Sequence, residues 1–145
     1  MTFRSHLKIR FGDIDRAGIV YFPRFLDFFH VALEEFFTSE LKIDYHTVID
    51  QHKIGFPVVH LETDFSAPFN YGDVIEVEVT VHHIGNTSIT FGYRAFKKKD
   101  VTARIICRHT TVCIDMITFK KKTIPPWLKE GLMRCRDQAN TQPSL

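Results

Sequence analysis

Polar and apolar positions alternate over several stretches of this chain and follow a helical period over one. Leu7, Ile9 and Phe11 alternate with His6, Lys8 and Arg10, which predicts a half-buried strand over residues 3–11. After a turn the spacing changes. Phe25, Phe28, Phe29, Ala32, Leu33 and Phe36 fall at i, i+3, i+4 and i+7 intervals and form one apolar stripe on a helix. Pro23 starts that helix, because its missing N–H would have no partner in the first turn. The helix runs to about Ser39, with Arg24, Asp27, Glu34 and Glu35 largely off the stripe. Asp44 to His52 suits a short second helix.

From Phe56 onward the period is two. Val59, Leu61, Thr63 and Phe65 alternate with Val58, His60, Glu62 and Asp64. Pro68 to Gly72 make a turn. Ile75, Val77, Val79 and Val81 then alternate with Glu76, Glu78, Thr80 and His82, the clearest strand in the chain. Gly85-Asn86 signals a hairpin, Thr87 to Phe96 the next strand, and Lys97 to Asp100 a charged turn. Val101 to about Phe119 reads as one long, bent or bulged strand. Pro125-Pro126 opens a helix to about Cys135. Short turns force antiparallel neighbours, and a stripe as bulky as that of the helix needs a broad surface. The expected architecture is α+β: an antiparallel sheet of five to six strands wrapped around one long central helix. Residues 1–137 read as one domain and 138–145 as a polar tail.

Composition narrows the function classes. The 145 residues suffice for one domain with a real core. Fourteen phenylalanines supply large apolar area for a core or a subunit contact. A net charge of +2 is too small to argue for nucleic acid. No apolar run approaches the roughly 20 residues needed to span a bilayer, and the N-terminus carries no signal-peptide core. The chain is therefore expected to be cytoplasmic and without membrane partners. Cys107, Cys113 and Cys135 are odd in number and lack metal spacing. The eight histidines are scattered, so no metal site is expected.

The candidate chemistry lies in Phe11–Pro23. Asp13 and Asp15 share a turn with the small residues Ala17 and Gly18, directly before the helix. A carboxylate can attack a carbonyl or activate water. Unpaired N–H groups at a helix start can hold a developing oxyanion, where the macrodipole also favours negative charge. An aspartate before a helix ordinarily does no more than cap or turn the chain. Elsewhere, His30 and Glu34 at i, i+4 read as a helix-surface pair. His60 and Glu62 share a strand face, and Lys97–Lys99 and Lys120–Lys122 are charge runs of the kind usually solvated in turns.

Gly12-Asp13-Ile14-Asp15-Arg16-Ala17-Gly18-Ile19-Val20-Tyr21-Phe22-Pro23 resembles the signature of hotdog-fold acyl-CoA thioesterases of the 4-hydroxybenzoyl-CoA thioesterase family. The likeness continues through the helix and the Phe65-x-x-Pro68-x-x-x-x-Asp73 stretch, then more weakly to about residue 126. The resemblance implies the hotdog fold and hydrolysis of an acyl-CoA thioester, aromatic or short-chain, with coenzyme A part of the substrate and no other cofactor. It implies Asp15 as the catalytic carboxylate and the Phe22 backbone N–H as oxyanion donor, with Tyr21 beside it. Asp13, Ala17 and Gly18 would support the loop. Phe56, Pro57 and Val58 of a partner chain would line the acyl pocket, and Ser88 is a kept substrate-binding position. It implies a homodimer or homotetramer. Gly85, Asn86 and Thr87 stand where the 4-hydroxybenzoyl-CoA enzyme carries a basic cluster for coenzyme A phosphates, and Arg16 where it has proline. A non-catalytic acyl-CoA-binding or regulatory module is the alternative, prompted by that altered hairpin. A hotdog dehydratase ranks last, for want of its histidine and acidic pair.

Overall fold

The computed structural model describes residues 2–140, with side chains through Asp137. Strands β1 (Arg4–Lys8), β3 (Val58–Phe65), β4 (Val74–Ile84), β5 (Ser88–Lys97) and β6 (Ile105–Val112) form one antiparallel sheet in the order β1-β4-β5-β6-β3. Helix α1 (Arg24–Phe36) crosses its concave face. This is the antiparallel sheet around one long helix that the alternation and the stripe predict, and the hotdog arrangement that the resemblance implies.

All six stripe residues of α1 are buried. Phe29 stacks on Tyr93 of β5 at 5.1 Å and Phe36 meets Phe91 edge-on at 6.4 Å. Under them lie the inward residues of β4 (Ile75, Val77, Val79, Val81) and β5 (Ile89, Phe91, Tyr93, Ala95). Full burial of a large apolar side chain contributes about 1.5–3 kcal/mol, so this layer dominates the stability of the domain. The opposite face of the sheet stays polar. Arg4 pairs with Glu76 and Glu78 at 3.1 and 3.3 Å, Arg94 pairs with Glu78 at 2.6 Å, and the Arg4 guanidinium covers Phe96 at 4.3 Å.

After α1 the chain makes a wider turn (Phe37–Leu41), then the short helix α2 (Tyr45–Asp50). Strands β2 (Ile54–Gly55) and β7 (Ile114–Asp115) pair in a separate two-stranded ladder. Helix α3 (Pro126–Asn140) packs Leu128 and Leu132 into the core. No helix among the described residues is long and apolar enough to cross a membrane.

Several sequence expectations need correction. Phe11 does not point inward: β1 ends at Lys8, a 3₁₀ turn covers Phe11–Asp13, and Phe11 is exposed beside Tyr71. Ser5 takes an inward position instead, hydrogen-bonded to Glu35. The long strand from Val101 to Phe119 is divided. Its first residues belong to a turn tied by Arg104, which bonds Asp100 and the Pro68 carbonyl, both at 2.7 Å. Its last part becomes β7 and an exposed loop at Ile117–Phe119. Helix α3 extends through Asn140, into the stretch read as a polar tail; residues 141–145 lie outside the described residues. Finally, β3 alternates in sequence but not in burial, since nearly every residue of it is exposed.

Candidate active site

The loop between β1 and α1 is a small structure in its own right. Ile14 and Val20 bridge as an antiparallel pair, and the Asp15 N–H donates to the Ile19 carbonyl at 2.9 Å. The Gly18 N–H donates back to the Asp15 carbonyl at 3.0 Å, closing a tight turn in which Gly18 holds φ +82°. That left-handed backbone is why a glycine stands there. The Tyr21 N–H then meets the Asp13 carbonyl, and the Val20 N–H the Phe69 carbonyl, both at 2.9 Å. The loop is thus fastened to the 66–73 turn.

The two aspartates have different surroundings. Asp13 is buried. Its Oδ2 accepts the Arg10 N–H at 2.8 Å, and its Oδ1 accepts Arg24 Nη2 at 2.8 Å and Nε at 3.2 Å. Burial alone would raise its pKa, but the Arg10 N–H and the Arg24 guanidinium outweigh it and hold the carboxyl below the usual range. Asp15 is exposed, with Oδ1 accepting only the Ala17 N–H at 2.8 Å. Its other oxygen faces solvent with no protein partner among the described residues.

The helix start is equally open. Pro23 occupies the N-cap position without a side-chain cap. The carbonyls of Tyr21, Phe22 and Pro23 accept the N–H groups of Arg24, Phe25 and Leu26. Among the described residues, the Phe22 N–H itself has no protein acceptor. This is the kind of unsatisfied donor that a helix N-terminus offers to an anionic oxygen. Phe22 and Phe25 meet Phe65 of β3 at ring distances of 6.4 and 5.8 Å. Beyond that contact the inward side chains of β3 stay open, with Leu61 42% and Phe65 51% exposed.

Comparison with known proteins follows the same outline. Residues 9–132 match the model of the thioesterase-like superfamily. The chain belongs to that superfamily. It is 31% identical over 139 residues to the 1,4-dihydroxy-2-naphthoyl-CoA hydrolase of Nostoc punctiforme, an alignment covering 96% of this chain and 92% of that one. Among solved structures it is similar to a 1,4-dihydroxy-2-naphthoyl-CoA thioesterase from Synechocystis, with a TM-score of 0.82, 26% identity and coverage of 92% and 96% of the two chains. It also resembles the gentisyl-coenzyme A thioesterase BH1999, with a TM-score of 0.80, 25% identity and coverage of 90% and 99%. The expectation of a thioester hydrolase agrees with these relatives, each named as a hydrolase or thioesterase. None of these three is named for 4-hydroxybenzoyl-CoA.

In this thioesterase-like chain the remaining candidate residues lie at two ends of the sheet. Asp13, Asp15, Tyr21 and Phe22 share one end with Phe65 and the Lys97–Lys99 turn, where the Lys98 N–H donates to the Val74 carbonyl. Phe56, Pro57, Val58 and Ser88 lie at the other. There the Pro57 carbonyl accepts the Val112 N–H at 3.1 Å, and Ser88 pairs with Val112. Lys120–Lys122 belong to that second end, since the Ile124 N–H donates to the Asn86 carbonyl. One chain therefore does not bring Phe56, Pro57, Val58 or Ser88 to Asp15. His60 and Glu62 bond each other at 2.8 Å on the outer face of β3, opposite Leu61 and Phe65, and His30 and Glu34 pair at 3.2 Å on the helix surface.

Sequence reasoning passed over Arg24, which fixes Asp13, and the buried pair of Tyr93 and His109. No short-range spacing marks Arg24. The pair carried a signal: Tyr93 is in phase with Ile89 and Phe91, and His109 with Ile105 and Cys107, so alternation directs both inward.

Proposed function

We propose that this chain hydrolyses acyl-CoA thioesters carrying an aromatic acyl group. The observation that carries this reading is the open Asp15 carboxylate held in the same loop as the unshared Phe22 N–H, beside the Phe22–Phe65 ring contact. The relatives named for naphthoyl- and gentisyl-CoA substrates support the aromatic class.

A thioester carbonyl is electrophilic and its thiolate leaves readily. Asp15 acts in one of two ways. As nucleophile its oxygen adds to the carbonyl carbon, the C–S bond breaks, and water hydrolyses the resulting anhydride. As base it takes a proton from water while the hydroxide adds, and the departing thiolate receives that proton. In both, the Phe22 N–H holds the oxyanion, a contact whose loss typically costs about 3 kcal/mol of barrier. Tyr21 and Asp13 keep the donor and the carboxylate in register, while Ala17 and Gly18 leave room for the substrate. The test is thiol release from a panel of acyl-CoA thioesters, native chain against Asp15→Asn. No turnover of any thioester, or full activity in the variant, overturns the reading. Oxygen-18 passing from labelled water into the enzyme marks the nucleophilic route.

The site is completed by a second copy. β3 is an eight-residue edge strand with Val58, Val59, Leu61 and Phe65 exposed. A long apolar edge invites pairing. Two copies joined antiparallel through β3 about a two-fold axis bring the Val58 end of one to the Phe65 end of the other. Phe56, Pro57, Val58 and Ser88 of the second copy then face Asp15, and the lysines of both ends flank the coenzyme A phosphates. Leu61→Lys combined with Val58→Lys is expected to give a monomer by sedimentation with at least tenfold lower activity. A native chain that is monomeric and fully active at micromolar concentration removes the dimer from the reading.

A further inference from the structure

After β7 the chain turns back in a short hairpin. The Asp115 N–H donates to the Lys120 carbonyl at 2.9 Å, and the Phe119 N–H to the Asp115 carbonyl at 2.7 Å. Ile114 then bridges to Lys121. The Asp115 carboxylate accepts the Ile117 and Thr118 N–H groups at 2.7 and 3.2 Å. Those two bonds, and after them the Lys122 ammonium, hold its pKa below the ordinary carboxylate range. The Met116 N–H donates to the Lys53 carbonyl at 2.9 Å, which ties the turn to the start of β2. These bonds fix the hairpin in one shape.

What the hairpin displays is apolar. Ile117 is 73% and Phe119 70% exposed, and neither belongs to the core. Phe119 also holds φ 60°. Short hairpin turns that end in left-handed backbone ordinarily place glycine there, because a side chain is disfavoured. A bulky residue in that conformation costs stability, and Phe119 gains no core packing to offset it. Cations surround the pair. Lys53, Lys120 and Lys121 are exposed and pair with no carboxylate among the described residues. Trp127, partly exposed, packs on His52 at 4.9 Å, one residue before Lys53. An indole, with an apolar body and one N–H, suits a boundary between apolar and aqueous phases.

We propose that the Asp115–Lys120 hairpin docks the protein on an anionic lipid surface. Ile117 and Phe119 enter the boundary between headgroups and acyl chains, and Lys53, Lys120 and Lys121 meet lipid phosphates. A protein partner would need a groove shaped to the two side chains; a fluid boundary needs none. Docking of this kind uses no membrane-spanning run. Lys120 and Lys121 answer phosphate in coenzyme A as well as in lipid, and the apolar pair is what selects the lipid. The inference stands apart from the thioesterase reading above.

The experiment is flotation of the full chain with vesicles of phosphatidylcholine and phosphatidylglycerol in equal amounts, against phosphatidylcholine alone. The native chain is expected to float with the anionic vesicles, less so as salt rises, and to stay down with the neutral ones. Phe119→Gly is expected to weaken partitioning at least about tenfold while the melting temperature holds or rises, since glycine suits the backbone there. Ile117→Ser should weaken it similarly with melting unchanged within about 1 °C, and Lys120→Gln or Lys121→Gln about fivefold each. On the thioesterase reading, the two apolar variants leave KM for acyl-CoA thioesters within about twofold, which separates lipid from coenzyme A phosphate. A native chain that floats with neither vesicle, or equally with both, overturns the inference. So does flotation that survives both apolar variants, or a Phe119→Gly chain that melts lower. If the native chain floats with neither and Phe119→Gly sediments closer to a monomer, the hairpin is instead a contact between copies. None of these results bears on the role of Asp15.

Discussion

Asp13 and Asp15 stand two residues apart in one loop and have opposite surroundings. Asp13 is buried and bonded through both oxygens, to the Arg10 N–H and to Arg24. Asp15 is exposed and accepts one backbone N–H. A carboxylate bonded through both oxygens has little capacity left for water or substrate; one with a free oxygen can react. The two differ because Asp13 closes the 3₁₀ turn Phe11–Asp13, whereas Asp15 opens the exposed turn that the Gly18 N–H closes on its carbonyl. Asp13 faces the root of α1 and Asp15 the solvent. On the proposed reading, reactivity belongs to the less well-bonded group and the better-bonded one holds the loop in place.

The sharpest way to break this comparison is to neutralise each aspartate in turn. Asp15→Asn keeps the size and the bond from Ala17 and removes the charge. It is expected to lower kcat about 10²- to 10⁴-fold, the usual contribution of a positioned acid–base group, with melting unchanged within about 1 °C. Asp13→Asn should show the reverse balance. It leaves Arg24 with a weaker acceptor, at a cost of about 1–2 kcal/mol. The lower part of that range is expected, because Arg24 is nearly half in solvent. Thermal unfolding is predicted to shift down by roughly 3–8 °C, with a loss of activity smaller than that of Asp15→Asn. Equal kinetic losses from both variants would erase the division of labour.

Acid sharpens the same contrast. The folded-state pKa of Asp13 is depressed, so its contribution is fully present above the unfolded value of about 3.9 and is lost as pH falls through the lower folded value. The melting temperatures of the native chain and of Asp13→Asn are therefore expected to differ most near neutrality and to converge below about pH 4. A gap that persists at pH 3 would mean that the carboxylate charge is not what the loop uses.

Much of this was legible from sequence because period survives folding. The α1 stripe and the β4 alternation were both buried as their spacing required. Gly18 in the loop signature marked the turn that the structure shows there. What sequence did not disclose were facts of assembly. β3 has the same alternation as β4, yet its sheet position is an edge, and period carries no information about who the neighbour is. Phe11 continues the β1 pattern by composition, but the Arg10–Asp13 turn has already redirected the chain. Arg24 is eleven positions from Asp13, and only the folded loop makes them partners. The Phe56–Val58 segment was read as a partner chain's contribution and Ser88 as a kept substrate-binding position, and within one chain both lie at the far end of the sheet from Asp15.

The smallest expected effect tests the hinge of the comparison, the turn that points Asp15 outward. Gly18 holds φ +82°, and a Cβ there would meet nothing within 4 Å. Gly18→Ala therefore introduces no clash and changes only the backbone preference, worth about 1 kcal/mol against the left-handed conformation. If the turn merely links β1 to α1, that cost appears as a melting shift of roughly 3 °C with kcat unaltered. If the turn aims the Asp15 carboxylate, kcat falls several-fold while the Asp13–Arg24 pair keeps the rest of the loop in place. The ratio of kinetic to thermal loss is the quantity to measure. It should be largest for Asp15→Asn, smallest for Asp13→Asn, and intermediate here, because Gly18 touches neither carboxylate and governs where one of them points.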